Sequence, residues 1–180
     1  MIYTVGHGNR SIEEFLALLR EAAIRCLVDV RAYPASRRHP QFAREALERS
    51  LGEAGIRYVW EGEALGGRRK ASRDSPHIAL RSPGFRAYAD HMATREFHDG
   101  MGRLIELGRS ARTSVMCAEG LPWECHRFLI SDFLVAEGEK VIHLVNPGTA
   151  QEHRLNPLVR LEDGRLIYDA GKQLGLGLEP

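Results

Sequence analysis

The sequence predicts an α/β fold of three layers: a mostly parallel sheet of about five strands with helices on both faces, plus a C-terminal β-hairpin. First, short apolar runs alternate along the chain with segments of helical periodicity, as in a sheet covered by helices. Second, two apolar runs near the C-terminus flank a glycine turn, which is typical of a hairpin. Third, the chain has 180 residues, 43% hydrophobic and 27% charged, which fits one globular domain.

The first sixty residues are predicted to form three strands and two helices. Ser11 and Glu14 make a capping box, in which each side chain binds the other residue's backbone N–H, so the first helix begins after Ser11. Gly55 is expected to end the second helix, because glycine is favoured directly after a helix C-terminus. The strands are assigned to 2–6, 26–30 and 56–60, and the helices to 12–23 and 43–54.

The segment 61–84 is predicted to be a long loop, since it contains four glycines, two prolines and a run of charges. Loops of this length in a compact domain are often functional. Beyond it, the same patterns predict helices 85–94, 96–108 and 122–137, strands 113–117 and 140–145, and the hairpin within 158–168. We expect an α/β domain over 1–145, with 146–180 as a C-terminal extension of the same domain.

The charge balance and the cysteine content narrow the class of protein. Lys+Arg number 25 and Asp+Glu 24, so bulk positive charge cannot hold a nucleic acid, although a local basic patch can. Three cysteines favour a reducing compartment over a disulfide framework. There is no run of eighteen apolar residues and no signal-peptide pattern, so we expect a cytoplasmic protein without a membrane partner. The sequence does not predict an oligomeric state.

Polar residues follow three of the predicted strands, in segments 6–11, 31–34 and 117–120. Because ligands of parallel sheets bind beyond the carboxyl ends of the strands, these segments are expected to form one site. In the first segment, glycines allow close backbone approach, and the N–H groups at the following helix start attract anions. His7, Asn9 and Arg10 are therefore candidate ligand-binding residues. A tight turn followed by a helix cap explains the same segment equally well.

Asp29 and Arg31 lie at the end of the second strand. An unpaired buried carboxylate is costly, so Asp29 is expected to have a basic partner, with Arg31 the nearest candidate. Two interpretations fit about equally well. Asp29 is either a catalytic residue, with Arg31 binding a ligand, or half of a structural ion pair.

A basic segment covers residues 31–86, which hold twelve Lys+Arg against six Asp+Glu. Arginine binds phosphate or carboxylate with two parallel hydrogen bonds, so Ser36, Arg37 and Arg68 are further candidates for binding a small anion. Aromatic residues are interspersed among these charges and could stack on bases, which makes nucleic-acid binding the alternative. They are Tyr33, Phe42, Tyr58 and Trp60. A solvated surface above a few core aromatics is the third interpretation.

The densest group of reactive side chains lies in residues 116–127. Cys117 follows a strand and is the candidate nucleophile, whereas Cys125 lies near a helix start, which lowers the pKa of a thiol. Glu119 and His126 are candidates for moving protons, and Arg127 for binding the anion. Structural thiols are the alternative, as free cysteine is often buried and inert.

A metal set made of Cys117, Cys125, His126 and His7 is chemically possible. It is weakly indicated, because no C-x-x-C motif is present. The sequence therefore predicts neither a metal nor a cofactor. Cys26, within a strand, is expected to be a core residue.

Five motifs in order resemble the family catalogued as domain of unknown function 488, over Tyr3 to about Leu144. The motifs are Thr4–Ser11, Val28–Arg31, Pro34–Arg37, Leu65–Arg68 and Met116–Glu119 with Cys125–Arg127. The resemblance implies a functional site at these positions but names no reaction. Gly8 stands where serine is commoner in the family, which argues against a required hydroxyl nucleophile there.

A looser likeness joins the chain to rhodanese-like sulfurtransferases and cysteine phosphatases. Like them, it has an Asp-x-Arg strand end at Asp29, and Cys117 lies in a loop between a strand and a helix. The phosphatase loop needs an arginine six residues after the cysteine, whereas Trp123 stands there. The sequence thus predicts an enzyme-like pocket for a small anionic ligand, phosphorylated or nucleotide-like, with a cysteine nucleophile.

Overall fold

The structure, a computed structural model, describes residues 1–35, 37–70 and 72–169. Its main sheet has six strands in the order β3-β2-β4-β1-β5-β6, of which the first five are parallel and β6 is antiparallel to β5. The strands are β1 (Ile2–Gly6), β2 (Cys26–Asp29), β3 (Arg57–Trp60), β4 (Thr113–Cys117), β5 (Val141–Asn146) and β6 (Thr149–Glu152). The predicted α/β class with a mostly parallel sheet is confirmed.

Six α-helices surround the sheet within the described ranges. They are α1 (Ile12–Glu21), α2 (Arg44–Glu53), α3 (Gly62–Leu65), α4 (Pro83–His91), α5 (Arg95–Ser110) and α6 (Arg127–Ala136). The predicted capping box is present, with the Ser11 side chain accepting from the Glu14 N–H and the Glu14 side chain from the Ser11 N–H. Gly55 has a φ of 70° after α2, as expected for a glycine that ends a helix. None of the described helices is long and apolar enough to cross a membrane.

Alternate residues of the central strands point into two separate cores. Tyr3 and Leu27 pack with α1 and α2 on one face of the sheet, whereas Ile2 and Val28 pack with α3 to α6 on the other. Helices on both faces make the predicted three layers. Cys26 is 1% exposed and lies in the second of these cores, as expected.

The order of the strands creates a topological switch point at β4. From β1 the chain moves outward to β2 and β3, with α1 and α2 on one face, and then returns through β4 to β5, with α5 and α6 on the other. β4 therefore lies between β1 and β2. The helices that follow the neighbouring strands β1 and β4, α1 and α6, leave toward opposite faces of the sheet. In α/β folds, ligands bind at such a switch point, beyond the carboxyl ends of the strands.

Several predicted boundaries in the middle of the chain are wrong. The segment 61–84 is not entirely loop, since it contains α3 and the start of α4. The Ser82 and Thr94 side chains accept the N–H groups of Phe85 and Phe97, so α4 and α5 begin earlier than predicted. β6 is a sixth strand that the sequence analysis missed, because its four residues are all exposed and show no apolar pattern.

The predicted helix 122–137 is two elements. Pro122–Glu124 form a short 3-10 turn, Cys125 is extended, and α6 begins at Arg127. Cys125 therefore precedes the helix. It lies two residues before α6, near the helix start where the sequence placed it.

The predicted C-terminal hairpin is confirmed. It consists of β7 (Val159–Glu162) and β8 (Arg165–Tyr168). Asp163 and Gly164 both have positive φ, of 48° and 75°, as the two central residues of a type I′ turn require. Residues 170–180 of the predicted extension lie outside the described ranges.

A buried chain of hydrogen bonds ties the C-terminal segment to the sheet. Thr4 Oγ1 is 2.7 Å from His143 Nδ1, and His143 Nε2 is 2.9 Å from His153 Nδ1. The other ring nitrogen of His153 lies 2.9 Å from Asp132 Oδ1, while the Tyr168 hydroxyl donates to Asp132 Oδ2. We call this set of five residues the buried polar chain. It links β1, β5 and α6 to the hairpin, so it stabilises the placement of residues 153–168.

Stability is expected to fall as the pH is lowered below neutral. Burial, reinforced by the neighbouring His153, lowers the pKa of His143 to about 3, and burial lowers the pKa of His7 to about 4. Unfolded histidine titrates near pH 6.5, so below that pH the unfolded state binds more protons than the folded state. We expect the free energy of unfolding to fall by roughly 2 kcal/mol for each histidine between pH 7.5 and pH 5. Urea unfolding at both pH values measures this.

The matched control for this prediction is His143→Gln, which removes one of the two titrating groups. Its stability is expected to fall by roughly 2 kcal/mol less than that of the parent over the same pH interval. An identical pH dependence in parent and variant would contradict the lowered pKa of His143.

Candidate functional site

The carboxyl ends of β1, β2 and β4 meet at one edge of the sheet. Gly6 is paired in register with Cys117, and Asp29 with Met116, so the segments that follow these strands begin side by side. The loop after β4 crosses directly over the end of β1. A Cβ added at Gly6 would lie 1.8 Å from the backbone oxygen of Glu119. Gly6 is therefore needed for close approach of this loop rather than of a ligand.

A cavity of about 330 Å³ opens at this edge. Its lining combines two thiols, an imidazole, two carboxylates, two guanidinium groups and two aromatic rings. These residues are Arg31, Tyr33, Arg68, Phe85, Cys117, Glu119, Glu124, Cys125 and His126. A second cavity adjoins it, lined by His7, Gly8, Asn9 and Arg38, and shares Arg31, Tyr33 and Glu119 with the first.

Three side chains form what we call the thiol cluster: Cys117, Cys125 and His126. His126 Nδ1 lies 3.8 Å from Cys117 Sγ and 3.7 Å from Cys125 Sγ. On the other side of the ring, His126 Nε2 lies 3.3 Å from the backbone oxygen of Val30. A carbonyl oxygen only accepts hydrogen bonds, so Nε2 must carry the hydrogen. This contact favours the tautomer whose Nδ1 lone pair faces the two thiols.

Glu119 adjoins the cluster, since Cys117 Sγ donates a hydrogen bond to Glu119 Oε2 over 3.0 Å. Contact with Cys125, together with burial, raises the pKa of Cys117 well above its usual value, and His126 offsets only part of this rise. Burial would raise the pKa of Glu119, but hydrogen bonds from Cys117 and from its own backbone outweigh it and lower that pKa. At neutral pH Cys117 is thus a protonated thiol that donates a hydrogen bond to the ionised Glu119 carboxylate, with His126 Nδ1 3.8 Å from its sulfur.

Asp29 is fully enclosed by donors. Its carboxylate accepts from the Arg31 backbone N–H, from Arg31 Nε and Nη2, and from the Tyr58 hydroxyl. Asp29 is 0% exposed, and the two oxygens of its carboxylate are both engaged. These contacts favour the structural ion pair that the sequence analysis left open, and they fix Arg31 at the cavity wall.

Two predicted anion-binding arginines contact backbone carbonyls. Arg10 donates to the carbonyl oxygens of Gly6 and Val145. Arg127 is 1% exposed and donates through Nη2 to the carbonyls of Glu119 and Gly120. Arg127 therefore holds the loop that carries Glu119, which is a positioning role.

The other predicted ligand-binding residues differ in exposure. Asn9, Arg37 and Arg68 are exposed, and the Arg68 guanidinium stacks 5.4 Å from the centre of the Tyr33 ring. His7 is buried with its ring stacked on Phe42, and its Nδ1 bonds with the Gly8 carbonyl, away from the thiol cluster. Ser36 lies outside the described residues.

Two residues that position His126 were not predicted. A Cβ added at Gly67 would lie 2.5 Å from His126 Nδ1, so the glycine lets the backbone press against the imidazole. Tyr88, on α4, has its ring centre 4.9 Å from the centre of the His126 ring. For Gly67, the sequence signal was a pair of glycines, Gly66 and Gly67, within a long loop. Tyr88 had no such signal, because a core aromatic residue in a helix has the same sequence pattern.

Many charges of the basic segment are engaged within the protein. Arg44 stacks on Trp60 at 4.8 Å, Arg69 donates to the Gly66 carbonyl, and Arg86 donates to the Leu80 carbonyl. Phe42, one of the candidate stacking aromatics, is 0% exposed. These contacts give nucleic-acid binding no added support, and it stays a prediction that a salt-dependent binding assay can test.

Comparison with known proteins gives one match. Residues 11–134 match the model of a family described as "Domain of unknown function DUF488". The matched span is more than half of the chain and includes all of the thiol cluster and Glu119. No curated protein and no solved structure matches the chain. The looser likeness to rhodanese-like domains finds no support among these comparisons.

Proposed function

Because the chain belongs to the family of domain of unknown function DUF488, whose description states no reaction, we propose its function from the site itself. We propose an enzyme that binds a small anionic ligand, phosphorylated or nucleotide-like, and uses Cys117 as its nucleophile. The observation that carries this proposal is the placement of Cys117 Sγ. It lies 3.0 Å from a carboxylate oxygen and 3.8 Å from an imidazole nitrogen, at the wall of a cavity large enough for a small ligand.

The charges around the cavity limit the ligand's own charge. Arg31 is already paired with Asp29, so Arg68 supplies the positive charge for a ligand, while Glu119 and Glu124 supply two negative charges. A ligand with one phosphate or carboxylate group suits this balance better than a polyphosphate. The exposed Arg68 is the proposed anion contact, and the Tyr33 ring beside it offers an aromatic face for a base or another flat group.

The proposed chemistry is thiol attack with local proton transfer. The Cys117 thiol, held by its hydrogen bond to Glu119, gives its proton to His126 Nδ1. Its sulfur bonds to the electrophilic carbon or phosphorus of the ligand. The leaving group departs with the electron pair of the broken bond. Water or a second substrate then displaces the sulfur, so hydrolysis or group transfer completes the cycle. Arg127 and Gly6 hold the loop that keeps Glu119 in place.

Replacing Arg68 with alanine is expected to weaken ligand binding at least tenfold, since one charge-assisted contact to a phosphate contributes about 1.5–3 kcal/mol. Isothermal titration calorimetry with adenosine 5′-monophosphate and with inorganic phosphate measures the effect. Arg109→Ala, an exposed arginine of α5, is the control and is expected to bind like the parent. Absence of binding in the parent, or equal binding by the Arg68→Ala variant, would reject the proposed ligand class.

A further inference from the structure

The thiol cluster has the dimensions of a metal site. Cys117 Sγ, Cys125 Sγ and His126 Nδ1 all lie within 4.8 Å of one another. Around a tetrahedral zinc ion, bonds of about 2.3 Å to sulfur and 2.0 Å to nitrogen separate these two atoms by about 3.5 Å. The two observed sulfur–nitrogen distances, 3.7 and 3.8 Å, need only a small contraction.

The surroundings of His126 add a second, independent feature. Histidine ligands usually donate their other ring N–H to a carbonyl or carboxylate, which fixes the tautomer and aims the lone pair at the metal. His126 has this arrangement, with Nε2 3.3 Å from the Val30 carbonyl and Nδ1 toward the thiols. Gly67 and Tyr88 pack against the ring, so its orientation is fixed before any metal binds.

We propose that the thiol cluster binds a zinc ion through Cys117, Cys125 and His126, with the fourth position of the tetrahedron left open. Two thiolates and an imidazole are the ligands that select zinc over magnesium or calcium. The two thiols are brought together by the loop from β4 to α6, so the absence of a C-x-x-C motif does not disfavour the site. His7 is not part of this set, because its ring is stacked on Phe42.

The consequence of zinc binding is regulation of the same site, and this part of the inference rests on the proposed function. Zinc binding displaces the protons of both thiols to solvent and uses the sulfur lone pair of Cys117 in a metal bond. A zinc-loaded cluster therefore cannot attack the ligand through Cys117. Zinc acts as an inhibitor of the thiol chemistry, and removal of zinc restores it.

The test is a Co²⁺ and Zn²⁺ titration of full-length protein freed of metal with a chelator under reducing conditions. We expect one Co²⁺ per chain, with a thiolate-to-metal charge-transfer band and the visible bands of a tetrahedral ion, and displacement of Co²⁺ by Zn²⁺. Cys117→Ser, Cys125→Ser and His126→Ala are each expected to weaken binding at least 100-fold. Cys26→Ala, which removes a core thiol outside the cluster, is the matched control and is expected to bind like the parent.

A measurement on the unaltered protein covers the case in which a variant fails to fold. Zn²⁺ is expected to protect Cys117 and Cys125 from iodoacetamide in the native protein. Absence of the charge-transfer band, or equal labelling with and without Zn²⁺, would overturn the metal site. Neither measurement uses the anionic ligand. Failure of the Arg68 binding test with intact Co²⁺ binding would therefore reject the proposed function alone.

Discussion

Asp132→Ala is expected to lower the free energy of unfolding by about 3–5 kcal/mol, because it removes the acceptor at the centre of the buried polar chain. Asp132 is 0% exposed and accepts hydrogen bonds from the Tyr168 hydroxyl and the Asn156 N–H, with His153 Nε2 at 2.9 Å. Alanine leaves these groups buried without a partner. The loss should appear in urea unfolding at neutral pH and in early proteolysis of the C-terminal segment.

Asp99→Ala is the control for this prediction. Asp99 is also a helical aspartate, but its side chain is 58% exposed and its ion pair with Arg95 is exposed too. Its replacement is expected to change the free energy of unfolding by less than about 0.5 kcal/mol. Similar small effects for both aspartates would show that the buried polar chain does not stabilise the fold.

Gly6→Ala is expected to disrupt the site together with the fold, at a cost of about 3 kcal/mol in unfolding free energy. The new Cβ would lie 1.8 Å from the Glu119 carbonyl oxygen and 2.7 Å from Arg127 Nη1. Since the first contact is with backbone, the loop that carries Glu119 must move away. We therefore also expect loss of adenosine 5′-monophosphate binding by calorimetry, at a temperature where the variant is still folded.

Gly52→Ala provides the comparison, because a Cβ at this position of α2 meets nothing within 4 Å. Alanine is favoured over glycine inside a helix, so this variant is expected to be slightly more stable than the parent. If Gly6→Ala has the same free energy of unfolding and the same adenosine 5′-monophosphate affinity as the parent, the close crossing of the loop over β1 is incorrect.

The alternation of strands and helices, the first helix cap and the hairpin turn could be predicted from the sequence, because each has a local sequence signal. β6 lacked one, since all of its residues are exposed. The start of α6 was placed too early because Pro122 is typical of a first helical turn, whereas here it begins a separate 3-10 turn.

The contacts of the site depended on residues distant in sequence. The strand ends could be brought together from topology alone, which placed Cys117 beside the 6–11 and 31–34 segments. The roles of individual arginines could not be separated, because Arg10 and Arg127 contact backbone carbonyls that only the folded loop presents. The buried polar chain joins residues 4, 132, 143, 153 and 168, and no local pattern relates them.

The central claim is that Cys117 is a reacting group and not a core thiol, and native alkylation tests it most directly. Metal-free protein is treated with iodoacetamide at neutral pH, and each thiol is followed by peptide mass mapping. We expect Cys117 to react faster than Cys26, to slow in His126→Gln but not in Glu124→Gln, and to be protected by adenosine 5′-monophosphate. If all three cysteines stay unlabelled until the protein is denatured, Cys117 is a structural thiol and the proposed mechanism is wrong.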